Sequence, residues 1–252
     1  DINTGEIIGE YRTSPSGMGA DPSRTTVDKY GNVWVTNRGE SGVSGGVEKG
    51  SVARIGVTIG GIRCDASGTP DPTGQFLKPP FFYNTCIDRN GDGLIKTSFG
   101  LGNILPWSNA GGANTNGGVS TADDEAIINY TRVLATGART VAVDDLSDLW
   151  VGGSTNNWHQ KLNGNTGQPV PGTEFNVGEG GYGGLIDGNG VLWSSGPPNR
   201  PLLKFTPSAV NPPAGVAQII NSCGDYGLGI DPNTGEIWHS SVDENRICKL
   251  SP

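Results

Sequence analysis

The sequence predicts an all-β fold, a β-propeller, and three observations carry that expectation. A phrase recurs around four tryptophans: RTTVDKYGNVWVTN, RTVAVDDLSDLWVGG, YGGLIDGNGVLWSSG and YGLGIDPNTGEIWHSS. The recurrence has a period: Trp150 to Trp193 is 43 residues and Trp193 to Trp238 is 45, against roughly 40–45 for a four-stranded blade. Composition agrees, since 42 of the 252 residues are Gly, well above the usual ~7%.

Each phrase holds an apolar run ending in Asp (Asp28, Asp144, Asp187, Asp231), a Gly/Asn/Asp turn, an aliphatic residue and then Trp (Trp34, Trp150, Trp193, Trp238). Two short β-runs joined by such a turn make a hairpin. A third run follows each: GSVARIG, WHQKLNG, PLLKFTP and RICKLSP. These alternate aliphatic residues with Lys or Arg, as a half-exposed strand does. After the second comes NGNTGQPV, a turn and a fourth strand. The last unit stops at ICKLSP, while the chain opens with DINTGEIIGEYRT, which shares the NTG phrase. Residues 1–13 are therefore expected to complete the blade begun by 226–252 and close the ring, removing its open edges. The same strand given to a neighbouring molecule would build a head-to-tail fibre.

Trp34 to Trp150 is 116 residues, one blade plus an insertion. Four Trp hairpins and the irregular segment 85–135 give five blades, with six as the alternative count, in a single domain spanning 1–252. Within the insertion, 61–135, only ADDEAIINYTRVLA invites a test as helix, and its INYTRV part reads as strand. No run is long and apolar enough to span a membrane. The start at Asp1, with neither signal peptide nor initiator Met, is expected of a processed form, a domain or part of something longer.

The net charge of −8 argues against a nucleic-acid backbone as partner, which needs a basic face. It suits an extracellular or cell-surface protein that meets cations, glycans or other proteins. The four cysteines fall into local pairs 22 and 25 residues apart, with no C-x-x-C spacing. The expected bridges are Cys64–Cys86 and Cys223–Cys248, out of three connectivities open to four cysteines. Disulfides imply an oxidising compartment, and so secretion.

The sharpest chemical signal is CIDRNGDGLIKTS. Asp88, Asn90 and Asp92, followed by Gly93 and the backbone carbonyl of Leu94, present hard oxygen ligands at alternate positions of a tight loop, which suits Ca²⁺. The segment resembles the first half of an EF-hand-type loop, as found in dockerins. It departs at the twelfth position, where Phe99 stands in place of Glu. Asp123-Asp124-Glu125 is the expected source of the missing carboxylate, through Asp124 or Glu125. An ordered ion would hold together a long insertion poor in secondary structure.

No catalytic constellation emerges. G-x-S-x-G, H-E-x-x-H and phosphate-binding glycine motifs are absent. The two histidines, His159 and His239, each follow a Trp and read as packed residues. Asn129-Tyr130-Thr131 is a glycosylation sequon set in a strand-like run.

The repeat units VDKYGNVWVTNR…GSVARIG, VDDLSDLWVGG…QKLNGNTG and IDPNTGEIWHSS…ICKL resemble those of the virginiamycin B lyase, NHL and YVTN-type propellers. The resemblance covers nearly all of the chain except residues 61–135. It implies the fold. In the lyases, His and Glu around a divalent metal open a cyclic ester, a pattern that two histidines do not match, so no catalytic residue is carried over. The expectation is a secreted or surface-displayed, calcium-stabilised binding or structural module. The alternatives are a fibre protomer that shares its N-terminal strand and a metal-dependent lyase.

Overall fold

A computed structural model describes residues 3–7, 9–18, 21–40, 49–56, 62–64, 85–91, 95–98, 100–107, 123–198, 200–208, 215–221 and 226–251. Among these there is no helix. The first sheet is formed by β1 (Pro22–Val27), β2 (Val33–Glu40), β3 (Lys49–Ile55) and, after the two-stranded parallel pair β4 (Ile62–Cys64) and β5 (Lys96–Ser98), β6 (Ile127–Arg132). The second contains β7 (Ala138–Val143), β8 (Leu149–Gly153), β9 (Trp158–Leu162) and β10 (Phe175–Asn176). The third contains β11 (Gly183–Ile186), β12 (Leu192–Ser195), β13 (Leu202–Thr206) and β14 (Val216–Ile220). The fourth contains β15 (Gly227–Ile230), β16 (Ile237–Ser241) and β17 (Arg246–Leu250). All four are antiparallel, and the last three are meanders.

The repeated phrase is the reason these hairpins form. The Asp that ends each first strand curls the turn with its own carboxylate. Asp28 Oδ1 accepts the backbone N–H groups of Tyr30 and Asn32, Asp144 those of Leu146 and Asp148, and Asp187 those of Asn189 and Val191. Asp231 does the same for Asn233 and Thr234. A side-chain carboxylate standing in for a backbone acceptor is the reason Asp favours turns. The Trp then lies across from a basic residue of the third strand: Trp34 from Arg54, Trp150 from Lys161, Trp193 from Lys204 and Trp238 from Lys249. In the first, third and fourth sheets the cation stands 4.8, 5.0 and 5.4 Å from the indole centroid, within cation–π range. In the second, Lys161 instead bridges Asp144 and Asp148 at 2.8 and 3.0 Å.

Consecutive sheets pack face to face. Trp34, Val52, Val141, Leu149, Val151 and Leu162 fill the space between the first and second. Trp150, Phe175, Leu192, Leu203 and Phe205 fill the next. Trp193, Leu202 and Ile237 fill the third, with Leu228, Ile230 and Leu250 against them. The first strands lie innermost: β7 contacts β1, β11 contacts β7, and β11 contacts β15. Thr140 Oγ1 donates to the Gly183 carbonyl across two of them at 2.9 Å. Gly184 must be glycine there, because a Cβ would stand 2.5 Å from Thr140 Cγ2. Sheets stacked around their first strands are the arrangement of a propeller.

Two expectations need correction. The INYTRV run is a strand, but it belongs to the first sheet: β6 pairs with β3, Tyr130 opposite Ala53. Residues 127–132 therefore supply that sheet's fourth strand instead of part of a fifth blade, and four antiparallel sheets are present among the described residues. The N-terminal segment forms no strand among its described residues, and no described ladder joins it to β17. Tyr11 instead packs against Ile55, Trp107 and Tyr130, Thr13 exchanges hydrogen bonds with Asn37 of β2, and Glu10 accepts the N–H of Gly102. Trp238 accordingly stays 37% exposed while Trp34, Trp150 and Trp193 are buried under the following sheet. The sequon lies in a strand, as its sequence reads: Asn129 is buried in β6. Of the cysteines, Cys64 ends β4, Cys86 packs half-buried on the Trp107–Tyr130 cluster, Cys248 lies in β17, and Cys223 lies outside the described residues.

Candidate functional site

Two places gather functional chemistry, the insertion loop and the centre of the sheet array. In the insertion, Asp88 Oδ1 accepts the N–H of Gly91 at 2.7 Å and turns the loop back on itself. Glu125 lies against that loop and spans it. Its Oε1 accepts the backbone N–H of Arg89 at 2.9 Å and its Oε2 that of Lys96 at 2.7 Å. Asp124, 1% exposed, is committed to scaffolding: Oδ1 accepts from Ala126 N, Oδ2 from both N and Oγ of Ser98. Burial raises its pKa, and the hydrogen bonds from Ser98 and Ala126 only partly oppose this. The Arg89 guanidinium donates to the carbonyls of Asp124 and Ile127. Asp88 and Glu125 thus both bond the backbone of this loop, Asp124 is turned to Ser98 and Ala126, and Asp92 and Leu94 lie outside the described residues. No group of three or more metal-binding side chains occurs among the described residues.

The donor set is entirely hard oxygen, which fits Ca²⁺ in kind. Each Glu125 oxygen accepts one hydrogen bond and keeps a lone pair, whereas Oδ2 of Asp124 already accepts two. Of the two carboxylates expected to complete the loop, Glu125 retains the capacity to do so.

At the centre, the first strands of all four sheets line one cavity of about 180 Å³. Arg24 and Thr25 come from β1, Arg139 and Val141 from β7, Gly183 to Leu185 from β11, Gly227 and Leu228 from β15, and Tyr226 from just before it. Arg139 and Arg24 both stand over the ring of Tyr182, at 3.9 and 5.6 Å from its centroid. Tyr182 donates its hydroxyl to that of Tyr226 at 2.8 Å, and the two rings are 4.8 Å apart. Burial and this hydrogen bond raise the Tyr182 pKa against the pull of the two arginines, so the phenol stays protonated.

Sequence reasoning missed these four side chains, although the repeat carried a signal. Arg139, Tyr182 and Tyr226 each stand five residues before their unit's Asp, and Arg24 stands four before its own. Aligning the units on Asp puts the four at one end of the inner strands.

The histidines do not join them. His159, fully buried in β9, stacks on Phe175 with centroids 4.9 Å apart, and its ring nitrogens meet Ser194 Oγ and the Asn157 carbonyl, both at 3.1 Å. His239 is buried in β16 of another sheet. Neither lines the central cavity. Burial pushes the His159 imidazole down to about 4. An unfolded histidine titrates near ~6.5, so below that value the unfolded chain binds a proton the native state refuses. This contribution to stability is complete above about pH 6.5 and is lost as the pH falls towards 4. The expected loss is about 2 kcal/mol between pH 6.5 and 5. Melts across that range should show a flatter profile for His159→Gln than for the native protein, whatever the variant's stability at pH 7. Parallel profiles would remove His159 as the cause.

No protein-family model and no curated protein matches the chain. Solved structures do. A gluconolactonase from Xanthomonas campestris superposes with TM-score 0.44 at 12% identity, over 91% of this chain and 57% of that one. The virginiamycin B lyase of Staphylococcus aureus superposes with TM-score 0.42 at 11% identity, over 94% of this chain and 72% of the lyase. The chain thus spans less than two thirds of the gluconolactonase. No activity and no residue role transfers at this level of likeness.

Proposed function

We propose that this chain is an extracellular or cell-surface binding module, a propeller whose insertion is ordered by Ca²⁺ and whose glycan or protein ligand is met at the central opening. The observation that carries the reading is Glu125. A nearly solvent-free carboxylate, 3% exposed, ties the two flanks of the Asp88–Asn90–Asp92 loop together through Arg89 N and Lys96 N. The bound ion would be held by Asp88, Asn90, Asp92, the Leu94 carbonyl and Glu125, and would supply the positive charge these oxygens call for. The proposed pairings Cys64–Cys86 and Cys223–Cys248 belong to the same extracellular reading.

Calcium modules outside cells bind with Kd of about 10⁻⁴–10⁻³ M. At ~2 mM Ca²⁺ such a site stabilises the native state by about 0.6–1.8 kcal/mol. For a domain of this size that is a melting shift of roughly 1–7 °C. EDTA should lower the melting temperature by this amount, Ca²⁺ should restore it, and Asp88→Ala should abolish the response. An EDTA-insensitive melt would end the calcium reading.

A second reading has its own observation. The first three sheets carry four strands and the fourth carries three among the described residues. Ile247 of β17 is 65% exposed. A strand from a second copy added along β17 would extend the sheet and build a fibre.

A further inference from the structure

We propose that the central cavity is a binding site for a small oxyanion group, a carboxylate, sulfate or phosphate, held by Arg24, Arg139 and the Tyr226 hydroxyl. The inference rests on the reading of this chain as a binding module and names the chemistry its opening recognises.

The argument begins with charge. The chain carries a net −8, and Arg38, Arg54, Arg132, Arg200 and Arg246 each pair with a carboxylate. Arg24 and Arg139 pair with none among the described residues. Both guanidiniums instead face one tyrosine ring, at 5.6 and 3.9 Å from its centroid. Each also has a buried Nε without a hydrogen-bond partner. Two cations lining one cavity without a counter-ion repel, and buried donors left unmatched are costly. In a protein rich in acidic residues, two cations converging without a counter-ion form a site for an external one.

The remaining groups fit the same ligand. Tyr182 donates to Tyr226, which leaves the Tyr226 hydroxyl hydrogen to be donated onward. Two planar guanidinium forks and one phenol make a donor-only set, and an oxyanion is acceptor-only. Guanidinium forks match carboxylate and phosphate geometry. No Asp or Glu lines the cavity, so nothing in its lining competes for the arginines. At about 180 Å³ the cavity is smaller than the roughly 300–1,000 Å³ of pockets that enclose whole small molecules. It therefore takes a terminal anionic group, with the rest of the ligand outside.

The test is calorimetric titration of the calcium-loaded protein at low ionic strength with sodium sulfate, phosphate or acetate, against sodium chloride at matched ionic strength. The expected result is saturable one-to-one binding of at least one oxyanion with Kd of about 1 mM or tighter. Affinity should fall at least about tenfold in Arg24→Gln and in Arg139→Gln, fall less in Tyr226→Phe, and weaken with added salt. Preference for sulfate or phosphate over acetate, or the reverse, identifies the group. Absence of saturable binding by all three, or unchanged affinity in both arginine variants, overturns the proposal. The chelator melt reads the insertion and the titration reads the centre, so failure of one is distinguishable from failure of the other.

Discussion

Replacing Glu40 by alanine is expected to cost about 3–5 kcal/mol of folding stability. Glu40 ends β2 after a bulge that shifts the register between Asn37 and Glu40, and it is fully buried. Its carboxylate accepts from Ser51 Oγ at 2.6 Å, from Arg132 Nε at 2.8 Å and from the Tyr130 hydroxyl. Burial first, and this carboxylate second, push the Tyr130 phenol far above its usual range, so it acts as a donor at any ordinary pH. Removing the carboxylate strands Arg132, 2% exposed, without its charge partner inside the first sheet. Total stabilities of about 5–15 kcal/mol are usual, so the loss is a large share of the whole. Glu40→Gln keeps the shape and two acceptor lone pairs and should cost less. The double variant Glu40→Leu, Arg132→Met should recover much of the loss, because an apolar pair leaves no orphaned charge. Urea unfolding of the three variants checks this. A loss below about 1 kcal/mol in Glu40→Ala, the value usual for a surface pair, would mean that the network is solvated.

The second large effect separates two copies of the same phrase. Asp28→Ala is expected to cost about 3–5 kcal/mol, while Asp231→Ala costs only a small fraction of that. In the first sheet Asp28 is 4% exposed and Arg54 5%. Arg54 donates to Asp28 Oδ2 at 2.6 Å, and Trp34 Nε1 donates to the same oxygen at 3.2 Å. Burial alone would raise the Asp28 pKa; the Asn32 amide and the Arg54 guanidinium outweigh it and hold the group below its usual value. In the fourth sheet the equivalent face is partly open to solvent. Trp238 is 37% exposed, Lys249 pairs with Glu236 at the surface, and Asp231 does little beyond curling its turn. Paired denaturation curves settle the comparison. Equal losses in the two variants would show that the turn, and not the buried charge pair, accounts for the effect.

These pairs also show what could be read from the sequence and what could not. Asp, turn, Trp and the following Lys or Arg are close along the chain, so the hairpins and their spacing were legible as a repeat. The pairing of β6 with β3 was not, since about seventy residues separate them and strand pairing across such a loop leaves no periodic mark. The N-terminal segment misled for a related reason. Asn3-Thr4-Gly5 and Asn165-Thr166-Gly167 share a turn phrase, but a turn does not specify which sheet receives the chain. Tyr11 and Thr13 settle it by packing on the first sheet. In the insertion, Asp88 and Glu125 lie 37 positions apart in sequence, and both accept backbone N–H groups of the same loop. Asp124 looked equivalent to Glu125, and only its hydrogen bonds to Ser98 and Ala126 distinguish the two. The central arginines and tyrosines come from four different repeat units, so they surface only when the units are aligned on their Asp, not in any one local motif.

The account holds that each chain works as a single binding propeller, and particle mass measures this most directly. Light scattering at high protein concentration, with Ca²⁺ present, should give one species at 26.1 kDa, and the chain should remain monomeric on deletion of residues 1–13. A polymer, or an oligomer that dissolves on that deletion, would contradict it and make assembly through an exchanged strand the function.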